Sequence, residues 1–484
     1  MLIDPPAYTA PADCRGVPVS CQSAAALDGL EKALICALSF RGDAIAEIDH
    51  VLASHPDFIM GHLFKAAWLT QAMETRIYDD MVAAWNRANG LAGNANEREL
   101  GHLTAIKHWI DGDFHRALQV WEDVLTLWPL DLMALQQAHL SHVLLGDTDG
   151  QRDTVARVFS LWDESLPGYE FVLGFYAFGL EENGDYHRAE ELARQALAIR
   201  PDNPYSVHAV AHVMEMQGRQ HGGIRFMADY QRYWGDSNFA NHLWWHTSLF
   251  HIDIGLSGRY LCETGMYATG QTDRALNIYD AHLRSQEHDG DKYEELDASA
   301  LLWRLRLLGV DTGSRWRQLA EKWEPSAVDT LYAFNDVHAM MAFVSDDRTD
   351  AQHALLTANE RYLENASDAN AAMSREIGLP FCLAMQDFHH ERYGDCVDRL
   401  LPVRYRTWRL GGSRAQRDII GWTLLEAALR ARRFELALAL ANERCALKPS
   451  SPQNWTYVSR AFAGLGKTCE RDRALARAQS LMGE

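Results

Sequence analysis

The sequence lacks several features that would place it in a familiar class of protein. Its eight cysteines are scattered and form no CxxC pair, and no apolar secretory segment follows Met1. We therefore expect reduced thiols and a cytoplasmic location. No apolar run approaches the roughly 20 residues of a membrane-spanning helix, and no Lys- or Arg-rich block accompanies the net charge of −20. Because nucleic acids and anionic membranes attract basic surfaces, we expect neither as a partner.

Familiar catalytic motifs are also missing. The chain has no GxSxG element and no cysteine with a clear histidine partner in sequence, so no nucleophile stands out. It has no P-loop and no GxGxxG, and we therefore expect no nucleotide cofactor. The zinc-protease signature HExxH is absent too, because Ala209 occupies the position of its glutamate.

The chain does contain a recurring pattern of four positions. It begins with an alanine and ends with a proline, and the successive spacings are 4, 3 and 5 residues. An alanine lets two helices approach closely, and a proline ends the second helix of a pair. This is the tetratricopeptide repeat pattern of roughly 34 residues. The copies are Ala44-Ile48-Val51-Pro56, Ala117-Trp121-Val124-Pro129, Ala189-Ala193-Ala196-Pro201 and Ala437-Ala441-Arg444-Pro449.

Helical periodicity fills the segments between these copies, and no convincing strand pattern interrupts them. We therefore predict an all-α protein, a tetratricopeptide-repeat-like α-solenoid of roughly a dozen antiparallel helix pairs in one right-handed array. Residues 1–22 contain four prolines and little periodicity, so they are predicted to be an irregular lead-in. Residues 23–484 are predicted to form a single continuous helical-repeat domain.

The most unusual stretch is the helix predicted from residue 204 to residue 216. His208, His212 and Glu215 follow one another at spacings of four and three, which puts all three on one stripe of a helix. Because Pro201 closes one repeat, this helix is the inner helix of the next repeat. In tetratricopeptide repeats, these three positions face the concave surface.

Other polar residues recur at similar places on later inner helices, and we predict that they share one enclosed cavity with the first three. In the segment 411–418, a glycine pair and an N-cap serine precede Arg417, which is the predicted anion holder unless it only forms a surface ion pair. The further candidates are His242, Trp245, His246, Asn335, Asp336, His338, Gln416 and Arg417.

These residues also carry a resemblance to a known family. The chain resembles the tetratricopeptide repeat protein 38 family, also called StaR-like, over about residues 50–450. The resemblance implies an all-helical repeat fold and implies no settled activity. The matching motifs are His208-x-x-x-His212-x-x-Glu215, His242-x-x-Trp245-His246, Phe334-Asn335-Asp336-x-His338 and Gly411-Gly412-Ser413-x-Ala415-Gln416-Arg417-Asp418.

The chain departs from the family pattern at residues 256–270, which are inserted after the helix that carries His246. This segment contains three glycines and two tyrosines. A plain surface loop is one interpretation. The sharper prediction is a loop beside the histidines that limits access to the cavity.

The pattern allows two kinds of chemistry on a small polar molecule, and it favours an enzyme. In acid–base catalysis, His212 paired with Glu215 is the base, while His208 and His246 are candidate acids. In metal-assisted chemistry, His208, His212 and His246 would hold a divalent ion. The alternative function is a non-catalytic scaffold that binds a peptide or protein in the groove, and a homo-oligomer is compatible with either function.

Overall fold

The computed structural model describes residues 11–255, 271–284 and 292–482. The predicted access loop at 256–270 lies outside the described residues and stays a prediction. Within them, the only β-structure is an isolated bridge between Ala12 and Pro18. No described helix is both long enough and apolar enough to cross a membrane.

Thirteen α-helices lie in the described residues 11–255. They are α1 (Ala24–Ser39), α2 (Ala44–Ser54), α3 (Ile59–Leu69), α4 (Tyr78–Gly90), α5 (Glu97–Ile110), α6 (Phe114–Leu127), α7 (Leu132–Leu145), α8 (Thr148–Phe159), α9 (Tyr169–Glu182), α10 (Tyr186–Ile199), α11 (Pro204–Met216), α12 (Gln220–Trp234) and α13 (Ala240–Ile254).

Twelve more helices are described after that point, and two of them continue through a π-helical turn, at Tyr279–Leu283 and Ser374–Gly378. They are α14 (Gln271–Ile278), α15 (Lys292–Leu307), α16 (Arg315–Trp323), α17 (Ala333–Ser345), α18 (Thr349–Asn365), α19 (Ala369–Met373), α20 (Leu379–His389), α21 (Tyr393–Leu400), α22 (Arg414–Arg430), α23 (Phe434–Leu447), α24 (Pro452–Gly464) and α25 (Thr468–Met482).

Neighbouring helices pack as antiparallel pairs, which short connections between helices impose. With α19 and α20 counted as one interrupted helix, the described residues form twelve pairs, from α1/α2 to α24/α25. The predictions of an all-α fold and of roughly a dozen helix pairs are confirmed.

The alanine and the proline of the repeat pattern lie on and just after the second helix of a pair, where each has a structural role. In α6, Ala117 and Trp121 are fully buried, so the small alanine allows the close approach and the indole fills the space beside it. Asp113 caps this helix by accepting a hydrogen bond from the backbone N–H of Arg116. Pro129 follows the helix end at Leu127 by two residues, where it prevents continuation.

The array does not stay open, because its C-terminal repeats return to the inner helices of earlier repeats. Helix α22 packs on α15, and α24 packs on α13, so inner helices of the two parts meet. The approach is close at Gly146 and at Gly218, which both adopt positive φ. A Cβ at Gly146 would lie 1.9 Å from the carbonyl oxygen of Trp408, a distance that only glycine tolerates.

Replacing Ala437 by leucine should lower the free energy of unfolding by about 1–3 kcal/mol, because added methyl groups overpack a fully buried helix contact in α23. The matched control is Ala439→Leu, two residues along the same helix and exposed to solvent. This change should stay within about 0.5 kcal/mol of the wild type. Denaturant unfolding followed by circular dichroism measures both, and equal effects would contradict the packing role of the repeat alanine.

Candidate functional site

Two neighbouring inner helices bring four histidines together. Pro204 begins α11, where Asn203 caps the helix by accepting a hydrogen bond from the backbone N–H of Ser206. The four-residue spacing then places His208 and His212 on one face of α11, and His242 and His246 occupy the equivalent face of α13. Three of the rings are buried, while the His242 side chain keeps 16% of its surface exposed.

The Nε2 atoms of the four rings converge. The Nε2 atom of His208 lies 3.0 Å from that of His212 and 3.1 Å from that of His242. The Nε2 atom of His246 lies 3.3 Å from that of His242. For His208, His242 and His246, one ring nitrogen from each lies within 4.8 Å of the other two, a geometry suited to a common metal ion. We call His208, His212, His242 and His246 the imidazole cluster.

A carboxylate stands behind three of the four rings on the Nδ1 side. Asp297 of α15 lies 2.9 Å from Nδ1 of His242, and Glu181 of α9 lies 3.3 Å from Nδ1 of His212. Glu215 lies 3.8 Å from Nδ1 of His246, and neither of these two facing atoms has a hydrogen-bond partner. The carboxylates therefore favour hydrogens on Nδ1 and leave Nε2 lone pairs facing the centre.

Burial and charge divide the rings into two kinds. Burial, followed by the neighbouring imidazoles, lowers the pKa of His208 and of His246 well below the ordinary histidine value. Burial also acts to lower the pKa of His212, but the Glu181 carboxylate outweighs it and the pKa is raised. In the opposite direction, burial raises the pKa of Glu181 despite its contact with His212. Among the rings with a shifted pKa, His212 is therefore the most basic, and His208 and His246 are the least.

The imidazole cluster has too few ring hydrogens to place one in each of its close nitrogen–nitrogen contacts. Nε2 of His212 and Nε2 of His242 are acceptors when their Nδ1 atoms donate to carboxylates. Nε2 of His208 lies between these two acceptors and carries at most one hydrogen. It can therefore donate a hydrogen bond to only one of them. At least one of the contacts at 3.0 and 3.1 Å therefore holds no hydrogen between the two nitrogens.

Lys448 and Arg417 of the returning C-terminal repeats and Arg304 of α15 supply positive charges near the cluster. Lys448, just after α23, donates to Glu215 at 2.8 Å, and Arg417 of α22 lies 3.5 Å from Glu182. Burial alone would raise the pKa of Glu215, but Lys448 lowers it below the ordinary value. Arg304 of α15 is buried, and its guanidinium lies 5.2 Å from the centre of the Trp245 ring.

Aromatic rings enclose the cluster. The ring of Trp245 stacks on His242 with the planes 15° apart, and Phe178 meets His208 and His212 edge-on. Phe239 contacts His208 and His242. These apolar walls lower the local dielectric, which strengthens each electrostatic contact inside them.

The structure corrects two parts of the sequence-based site. The pairing of His212 with Glu215 is wrong, because His212 faces Glu181 and Glu215 extends to Lys448. Both residues lie on the predicted stripe, but the partners come from other helices. His242 takes the place of His212 in the triad that suits a metal ion.

Other predicted residues make their polar contacts with groups outside the imidazole cluster, so for them the single shared cavity stays a prediction. The Asn335 side chain donates to the Met73 carbonyl, and the Asp336 carboxylate accepts from Asn359. Nδ1 of His338 lies 2.7 Å from the carbonyl oxygen of Phe334 in its own helix, and burial lowers the pKa of His338 to about 4.

Gln416 has a structural role at the start of α22. Its side chain accepts a hydrogen bond from the backbone N–H of Ser413 and completes a capping box. Arg417, the predicted anion holder, instead bonds the carbonyl oxygen of Gly412 and approaches Glu182. Its charge thus faces the carboxylates that border the imidazole cluster.

Comparisons with known proteins give similarities of low score. No protein-family model matches the chain. The human IFIT1 dimer with PPP-AAAA is 11% identical, with a TM-score of 0.36 and 94% of each chain covered. The yeast Tom70 structure is 12% identical, with a TM-score of 0.31, 84% of this chain and 92% of that chain covered. The structure of Naa15/Naa10 bound to HypK-THB is 10% identical, with a TM-score of 0.25 and 94% of each chain covered.

Replacing Lys448 by methionine should lower the free energy of unfolding by about 3–5 kcal/mol near pH 7, because it leaves the buried Glu215 charge unpaired. Adding Glu215→Gln to that variant should recover part of the loss. The ion pair lowers the pKa of Glu215 and raises that of Lys448. Its contribution is therefore complete between their ordinary pKa values, and is lost as pH falls through the folded pKa of Glu215.

The control for this pair is Lys467→Met, which removes an exposed lysine and should change stability by less than about 0.5 kcal/mol. Denaturant unfolding at pH 7 and at pH 3 gives the comparison. A Lys448→Met protein as stable as the control would contradict the role of this ion pair.

Proposed function

We propose that the chain is a metal-dependent enzyme that acts on a small polar molecule at the imidazole cluster. The three converging Nε2 atoms of His208, His242 and His246 support a divalent ion held at that point. Imidazole nitrogen suits Zn²⁺, Fe²⁺, Cu²⁺ and Ni²⁺, and we take Zn²⁺ as the first candidate.

The spacing of the nitrogens supports a tetrahedral site. Ligand nitrogens about 2.0–2.1 Å from Zn²⁺ stand about 3.3 Å apart when the arrangement is tetrahedral. The two Nε2 separations that involve His242 are 3.1 and 3.3 Å. Three protein ligands leave a fourth position for water or substrate, which is the pattern of catalytic zinc sites.

The surrounding charges also favour a divalent cation. In the described part of the chain, Asp297 and Glu181 each have an imidazole as their only ion-pair partner. Lys448 and Arg417, by contrast, are occupied by Glu215 and Glu182. Two carboxylates thus face the cluster without a permanent cation, and a divalent ion would balance both.

Asp297 has a further positioning role. Its contact with Nδ1 of His242 fixes that ring with Nε2 toward the centre and increases the basicity of Nε2. The same ring is the most exposed of the four, so we place the entry for water and substrate on the His242 side.

The reaction that fits these residues is hydrolysis or a related proton-transfer step. A bound divalent ion lowers the pKa of a coordinated water to near neutrality. His212, oriented by Glu181, accepts a proton at Nε2 and returns it to a leaving group. The raised pKa of His212 makes it the most basic of the three rings with a shifted pKa.

The alternative of a peptide-binding scaffold has less support in this fold. An open solenoid binds peptides along exposed inner helices, whereas here α22 and α24 pack on inner helices of earlier repeats. Membership of the tetratricopeptide repeat protein 38 family, a cytoplasmic location and the absence of a nucleic-acid partner are part of the same proposal.

Purified protein should bind about one equivalent of Zn²⁺, and His242→Ala should abolish that binding. Asp297→Asn should weaken the affinity by about 10–100-fold, because the ring loses its orienting partner. His251→Gln is the matched control on α13, since His251 is also buried but lies outside the triad. Elemental analysis and calorimetric titration provide the measurement, and equal binding by wild type and His242→Ala would exclude the proposed ligand set.

His212→Gln should keep the metal and lose activity, since His212 is proposed to move protons without binding the ion. We expect turnover of an activated ester or phosphodiester to fall by about 10²–10⁴-fold. The two probes are p-nitrophenyl acetate and bis(p-nitrophenyl) phosphate. Loss of Zn²⁺ from His212→Gln would show instead that His212 is a ligand, and full activity would remove it from the mechanism.

A further inference from the structure

A second site stands apart from the imidazole cluster, in a cleft between the first repeats and a later part of the array. Its volume is about 380 Å³, within the range of small-molecule pockets. One wall comes from the α3–α4 connection and the ends of α5 and α6, and the other from residues 329–331, α18 and α19. We call this the acidic cleft.

The polar lining of the acidic cleft has one sign of charge. Its acidic residues are Glu74, Asp111, Asp329 and Asp368, and no Lys, Arg or His belongs to the described lining. Glu74 and Asp111 are already neutralised, by Arg76 and by Lys107.

Asp329 and Asp368 form no direct ion pair with any Lys, Arg or His among the described residues. Asp329 accepts a hydrogen bond of 2.6 Å from the Thr75 hydroxyl, and Asp368 accepts from the Tyr362 hydroxyl and from the N–H of Ala371. Burial raises the pKa of Asp329, while the Thr75 hydrogen bond and the charge of Lys292 act in the opposite direction. Neither carboxylate of this partly desolvated wall is in a direct ion pair, since Lys292 pairs with Glu295, so a bound cation could contact both.

A third, deeply buried acid lies behind the same wall. Asp336 is 7% exposed, and its side chain accepts from the Asn359 amide and pairs with no described cation. Burial raises its pKa to about 7. It lines a smaller hollow that shares Met73, Glu74 and Asp329 with the acidic cleft. The motif around Asn335 and Asp336 thus belongs to this region.

Apart from three threonines and Asn370, the rest of the lining is aromatic or apolar. Tyr78, Trp109, Phe114 and Tyr362 contribute rings, and Trp109 and Phe114 lie with their ring centres 4.5 Å apart. Aromatic faces attract organic cations and also bury apolar groups. A bare metal ion fits less well, because no three of the described cleft acids bring ligand oxygens within 4.8 Å of one another.

We propose that the acidic cleft binds a small organic ammonium ion with an apolar body. The ammonium group would contact Asp329 and Asp368, and the apolar body would pack on the aromatic walls. This site is independent of the imidazole cluster and of any metal there. Its ligand is an effector or a second substrate of the same protein.

The direct test is calorimetric titration of the full chain with phenethylammonium chloride and with 2-phenylethanol, which is nearly the same shape without the charge. We expect the ammonium compound to bind at least about tenfold more tightly. Equal binding would show a purely apolar cleft and overturn the proposal. Acetyl-Phe-Lys-amide tests whether the ammonium group belongs to a small molecule or to a lysine of a protein partner. Tighter binding of this peptide than of phenethylammonium would assign the cleft to a protein partner.

Charge-removing variants locate the binding. Asp329→Asn and Asp368→Asn keep an oxygen that can accept the existing hydrogen bonds, and asparagine also caps a helix well. Each should weaken phenethylammonium binding by about tenfold. Asp123→Asn, an equal charge change at an exposed position on α6, should have no effect. If all three variants bind alike, the cation is not held in this cleft. Zn²⁺ binding stays unchanged in each, so this proposal and the metal proposal fail separately.

Discussion

The buried carboxylates of the inner helices impose the main constraint on this structure. Glu215 and Glu182 lie where water is excluded, and an unpaired carboxylate in such a place costs several kcal/mol. Lys448 pairs with Glu215 and Arg417 with Glu182, and both cations belong to repeats more than two hundred residues further along the chain. Closure of the array and formation of the polar centre therefore depend on each other. The buried carboxylates need the two cations, and the cations are buried only when the C-terminal repeats pack against the earlier ones.

The sequence allowed the helices, their pairing and the inner position of the histidines to be predicted, since all depend on local spacing. A spacing of four residues puts His208 beside His212 in any helix. The alanines of the repeat likewise require only that the next helix lies close, as Ala117 shows by its complete burial. The helices, their pairing and the faces that the histidines occupy follow from the helical period of 3.6 residues and from side-chain size.

The partners of the histidines were not predictable in the same way. Asp297 and Glu181 reach the rings from α15 and α9, and helical spacing indicates which face a residue occupies but not what lies opposite it. Glu215 shows the difference clearly, because it shares a stripe with His212 and yet pairs with Lys448.

Contacts between the two parts of the array also limit how such a chain can evolve. An open repeat protein can gain or lose a unit by duplication, because each unit contacts only its neighbours. Here one additional repeat between α11 and α23 would move Lys448 away from Glu215, and Ser450 away from the glycine at 218 that it approaches. The number of repeats is therefore fixed by these contacts, because adding or removing one unit would separate both pairs.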